Sequence, residues 1–162
     1  MSEPNAEKII SRIVAALETI SKLNGFSFDF REVLRDDPRN EIVPPLIIVG
    51  NLPEELEAQG EHGCAYYISQ LGVAIRAYLD VEPDDPIKLD RAYGLAKHDI
   101  LRAVGSVDWN DLDAFPQSIS ASPFDDEAAP ADAFWQGIGV DLTIENHLDV
   151  KGFDVVRWLK RG

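Results

Sequence analysis

Two long stretches of alternating apolar residues dominate this chain, and any fold for it has to house both. The first, 65–80, reads AYYISQLGVAIRAYLD. Tyr67, Leu71, Val73, Ile75 and Leu79 share one parity, while Tyr66, Ile68, Gln70, Gly72, Arg76 and Tyr78 share the other. The second is 133–148. Phe134, Ile138, Val140, Leu142 and Ile144 alternate there with Trp135, Gly137, Gly139, Asp141, Thr143 and Glu145. A period of two is that of a β-strand. At about 3.3 Å per residue, the first strand would span on the order of 50 Å. That length predicts a bulge or bend near Gly72. The second splits cleanly into apolar and polar residues and should have one wet face.

The remaining elements are shorter. Residues 4–23 read as an amphipathic helix, with Ile9, Ile10, Ile13, Val14, Leu17, Ile20 and Leu23 on one stripe. Asn24-Gly25 ends it. Phe26, Phe28 and Phe30 alternate with Ser27, Asp29 and Arg31, which predicts a half-buried strand over 26–34. A turn cluster follows at 35–40. Pro44-Pro45 then opens Leu46-Ile47-Ile48-Val49, a strand buried on both faces. Residues 52–63 are polar and acidic and read as a loop. Asp85 and Pro86 open a second helix over 87–104, with Leu89, Tyr93, Ala96, Ile100 and Val104 on one stripe. Residues 106–132 are irregular, with room for a short strand at 117–121. The expected fold is α+β: a mainly antiparallel sheet of about four strands, with two helices packed on one face. One domain covers 1–162, with a core over 6–148, an irregular insertion at 106–132 and a C-terminal extension from 149.

Charge and cysteine usage narrow the function classes. The 162 residues carry 29 acids against 15 bases, a net charge of −14. Such a surface repels phosphate and argues against nucleic-acid binding through a basic patch. The charge is uneven, and Arg157, Lys160 and Arg161 give the end of the chain a basic tip. The single cysteine, Cys64, precludes an intramolecular disulfide, which fits a reducing compartment. No apolar run reaches the roughly 18 residues of a bilayer span, and the first ten residues lack a signal peptide's pattern. No membrane partner is expected.

No reactive constellation stands out. Glu61, His62 and Cys64 form the one local set of ligand-type side chains, short of the paired ligands a structural zinc site needs. The acidic run from Asp108 to Asp113 misses the calcium-loop pattern, with Leu112 at the fifth position and Ile119 at the twelfth. Gly137-Ile138-Gly139 lies inside a strand pattern, where paired glycines mark close backbone approach rather than a dinucleotide site. His98 and Asp99 are adjacent on a helix and point apart. No catalytic residue, cofactor or metal is assigned. Tyr78, Trp135 and Trp158 are the candidates for a subunit interface, because large aromatics on an open sheet face or a terminal patch suit a partner.

The order of textures carries a resemblance. A helix of the form AEKIISRIVAALETI precedes an aromatic segment, FSFDFREVLR, and an apolar strand, PPLIIVG. The long strand YYISQLGVAIRAYL, the helix KLDRAYGLAKHDILRAV and the strand GIGVDLTIEN follow. Over roughly 6–148 this resembles the tail terminator, or tail completion, proteins of long-tailed bacteriophages. The resemblance implies a structural, non-enzymatic virion protein at the junction of tail and neck, made in the host cytoplasm. It implies a homo-oligomeric ring, usually a hexamer, that caps the tail tube protein, stops its polymerisation and meets the neck or head connector protein. DNA would pass through the lumen without specific binding. The expanded 106–132 segment and the C-terminal extension depart from the family's pattern. They leave a head-completion or neck connector as the alternative within the same particle. From other classes, the residues leave a small hydrolase or metal-dependent enzyme and a cytoplasmic binding module.

Overall fold

The computed structural model describes residues 5–35, 43–59, 66–80, 86–112, 114–125 and 136–149. Its elements are helix α1 (Asn5–Glu18), strands β1 (Val33–Arg35), β2 (Leu46–Asn51), β3 (Glu55–Gln59) and β4 (Tyr66–Leu79), helix α2 (Pro86–Gly105), and strands β5 (Ala114–Asp125) and β6 (Gln136–Asp149). The α+β class with two helices holds, but the sheet is mixed and has six strands rather than about four. Its order is β1-β2-β4-β6-β5, with β3 also paired to β4. β1 runs parallel to β2, and every other pairing is antiparallel.

β4 and β6 form the spine. They pair without interruption from Tyr66 opposite Asp149 to Leu79 opposite Gln136. Leu71, Val73, Ile75, Ala77 and Leu79 of β4 and Ile138, Val140, Leu142 and Ile144 of β6 turn to one face, where both helices cover them. α1 contributes Ile9, Ile10, Ile13 and Leu17, and α2 contributes Ala92, Ala96, Ile100, Ala103 and Val104. Burying each large aliphatic side chain contributes roughly 1.5–3 kcal/mol. The two helical stripes and the two strand alternations are therefore one contiguous core.

The irregularity expected near Gly72 lies in the partner strand, not in β4 itself. Asn51 pairs with Val73, but Glu55 pairs with Gln70. One extra residue is thus inserted between β2 and β3, which otherwise continue along the same edge of β4. Such an insertion is a bulge. Leu52 donates its N–H to Gly72 O at 2.9 Å within it.

Three sequence expectations change. The first helix stops at Glu18, and Lys22–Asn24 forms a 3-10 turn closed by Gly25 at φ 82°. Leu23 then leaves the apolar stripe and is 99% exposed. Of the aromatic strand expected over 26–34, only Val33–Arg35 joins the sheet. The Ser27 and Phe28 N–H groups donate to Asp99 instead, and Lys22 N–H donates to Asp29. The phenylalanines still pack against the core, so the alternation reports burial without a ladder. The polar loop expected over 52–63 contains β3, whose Leu56 is 57% exposed. Backbone pairing with β4, not burial, holds that strand.

Candidate functional site

The sheet face opposite the helices is the first surface of interest. Leu46, Ile48 and Tyr78 form a second, smaller apolar cluster there, joined by Leu34 and Phe124. Tyr78, an interface candidate from the sequence, is only 3% exposed and meets the Phe124 ring edge-on at 5.1 Å. Arg76, two residues before it, is exposed and lies 5.8 Å from the Phe124 ring centre, a cation–π geometry. The alternation of β4 forces this arrangement. With Ile75 and Ala77 turned to the helices, Arg76 and Tyr78 must face the other way.

A shallow hollow of about 300 Å³ opens beside this cluster, lined by Ile48, Gly50, Asn51, Leu52, Ala74, Arg76 and Tyr78. Its small residues give it depth, and the bulge at Leu52 gives it a wall. Its lining holds no carboxylate, histidine or cysteine. Arg76 is the one charged side chain there. The hollow's apolar walls and Arg76 suit contact with an apolar or acidic group.

Of the two glycines on the same face of β6, Gly137 marks the close backbone approach that strand glycines predict. A Cβ on Gly137 would lie 1.9 Å from Ala77 O and 2.9 Å from Phe124 Cζ. The Phe124 ring can lie across the sheet because that position carries no side chain. Gly139 is less confined, with its nearest contact at 3.6 Å.

The acidic run after α2 is a docked turn. Arg12 of α1 reaches Asp111 through both guanidinium nitrogens at 2.5 Å and donates to Asp108 O at 2.8 Å. The hydrogen bond from Arg12 holds the Asp111 carboxyl below the ordinary carboxylate range and raises the Arg12 value in turn. Asp108 Oδ1 accepts from Asn110 N–H, which tightens the turn. Trp109 is half-buried against the core. The Asp111 carboxylate holds the turn to α1, and the Asp108 carboxylate closes the turn itself.

Asp99, by contrast, is 1% exposed, and its Oδ2 accepts from both Ser27 and Phe28 N–H at 3.0 Å. It ties the aromatic segment to α2, while the adjacent His98 stays exposed. The two do not act as a pair. Among the described residues, no group of three or more His, Cys, Asp or Glu side chains is placed to hold a metal ion. Trp135, Trp158, Glu61, His62, Cys64 and the basic tip lie outside the described residues.

The second surface was not legible in advance. β5 is a twelve-residue strand at the edge of the sheet, where the sequence allowed only a short one. Most of its side chains are exposed, including Phe115 at 49% and Ile119 at 48%. Ile119, opposite Leu142, lies on the helix-covered side of the sheet but beyond the helices' reach. No protein-family model matches the chain, and no curated protein matches its sequence. Function therefore has to be argued from these surfaces and from the order of elements.

Proposed function

We propose that the chain is a structural assembly protein of a phage-type tail. In this reading it forms a ring that caps the tail tube, ends its polymerisation and meets the neck. The observation that carries the reading is the order of elements: helix α1, strands β1 to β3, the long strand β4, helix α2, then β5 and the long strand β6. Both helices lie on one face of the sheet; its other face carries the exposed Arg76 beside the small apolar cluster, and among the described residues no strand pairs with the outer edge of β5. A ring is built from repeated contacts between unlike surfaces of neighbouring copies. Helix backs and the opposite sheet face, with its apolar cluster and Arg76, supply such surfaces. The net charge of −14 supports a wall past which DNA slides, since like charge repels phosphate. No helix among the described residues is long and apolar enough to cross a membrane.

Light scattering combined with negative-stain imaging tests the assembly. Rings of about six copies, the number the tail-terminator resemblance implies, are expected in the presence of the tail tube protein. Rings that bind a portal-side connector but ignore the tube would move the protein to the neck. A ring with a basic inner wall would remove the electrostatic argument for DNA passage.

A further inference from the structure

The outer edge of β5 has a backbone direction that its prolines reveal. Pro123 sits opposite Ile138 in the β5–β6 ladder. Proline has no N–H, so in an edge strand its nitrogen faces away from the neighbouring strand. Hydrogen bonding alternates along an antiparallel pair. Ala121, opposite Val140, and Ile119, opposite Leu142, therefore also turn their N–H and C=O groups outward. Among the described residues no strand pairs with this edge.

Edge strands are commonly guarded by charge, lysine above all. From Ala114 to Phe124 there is not one charged residue, in a chain whose net charge is −14. Two copies of so acidic a chain repel over most of their surfaces. Along this neutral strip their backbones can approach without like-charge contact. Pro116, Pro123 and the bulge between Pro116 and Ser118 close the two ends of the strip and leave 118–122 open.

We propose that this edge pairs with the same edge of a second copy of the chain, antiparallel about a two-fold axis through Ser120. The open stretch Ser118-Ile119-Ser120-Ala121-Ser122 reads almost the same in both directions. In this register Ile119 meets Ala121 of the second copy, and each such pair exchanges both of its backbone hydrogen bonds. Ser120 meets its own counterpart on the axis, and Ser118 meets Ser122, so small hydroxyls line the face away from the helices. On the other face each half-exposed Ile119 gains the neighbouring Ala121 as cover. Pro116 falls opposite Phe124 and Pro123 opposite Gln117, which ends the pairing at both flanks. The sheet's other edge is made of β1, three residues long, and β3, five residues long with Glu55 and Glu57 along it. It gives little for a third copy to extend, so the pairing closes at two.

This contact is separate from the ring contact. A ring joins unlike surfaces, whereas a two-fold contact joins like to like. The dimer keeps an open sheet edge covered while the chain is free.

Sedimentation analysis of the full chain reads the association. The wild type is expected to dimerise reversibly. Ala121→Pro removes an outward N–H without disturbing the bonds to β6, and it should weaken the dimer by about tenfold or more. Ile119→Lys, at an exposed position, should do the same and serves where the proline variant fails to fold. In a Cys64→Ala background, Ser120→Cys should form an intermolecular disulfide on mild oxidation. Opposed Cα atoms in a non-hydrogen-bonded pair lie about 4.5 Å apart, within disulfide reach. Ser106→Cys, in the turn after α2, should not. A chain that stays monomeric at its highest attainable concentration, with no Ser120→Cys cross-link, overturns the proposal. So does a dimer that Ala121→Pro and Ile119→Lys leave unchanged.

Discussion

Leu52 and Gly72 meet where the β2–β3 edge bulges over β4: a Cβ on Gly72 would lie 2.6 Å from that of Leu52. The collision is with an atom fixed to the backbone, not with the end of a flexible side chain. Gly72→Ala should therefore cost about 1–3 kcal/mol through overpacking. Leu52→Ala keeps the offending Cβ and should give no rescue. Leu52→Gly removes it, so a double-mutant cycle should show Gly72→Ala to be milder in the Leu52→Gly background. Urea unfolding of the four proteins measures this.

Gly137 and Gly139 separate close approach from simple strand glycine. Gly137→Ala drives a methyl group into Ala77 O and should cost about 3 kcal/mol or more, in the range reserved for severe steric faults. Gly139→Ala has room for its methyl and should stay within about 1 kcal/mol of the wild type. Comparable losses at the two sites in thermal melts would contradict the packing of Phe124 across β6.

Asp99 is expected to be a structural carboxylate. Asp99→Ala leaves the Ser27 and Phe28 N–H groups without their acceptor and should cost about 2–4 kcal/mol. Asp99→Asn keeps an acceptor oxygen and should lose roughly half of that. His98→Ala, at an exposed position, should be nearly neutral. Denaturant titration distinguishes this from a His–Asp pair, in which both substitutions would matter together.

The Arg12–Asp111 pair predicts a pH dependence. The folded chain holds the Asp111 carboxyl below its unfolded value because Arg12 donates to the carboxylate. The resulting stabilisation is present above the unfolded carboxylate range and is lost as pH falls through the lowered folded value. Asp111→Asn should thus be slightly less stable than the wild type at neutral pH and equal to it in strong acid. Both groups are exposed, so the difference should also shrink in high salt.

What the sequence revealed follows from what burial controls. The α1 and α2 stripes and the β4 and β6 alternations were legible because one side of each is pressed into the core. β3 was not, because its place is set by main-chain pairing and Glu55, Leu56 and Glu57 stay wet. The phenylalanines of 26–30 misled in the opposite sense. They are half-buried as expected, but Asp99 takes the Ser27 and Phe28 N–H groups that a ladder would need. Tyr78 was singled out for an interface, and within one copy Phe124 already packs against it. The open β5 edge escaped notice because free backbone groups leave no mark on side-chain pattern. Its signal was the absence of charge from Ala114 to Phe124 between two prolines.

The most direct test of the assembly role is to polymerise the tail tube protein of the same particle with and without this chain, and to image the products by negative stain. Tubes that stop growing and carry a ring of this chain at one end are the predicted result. Tubes of unchanged length with no density added at either end, across the full range of added chain, would contradict it.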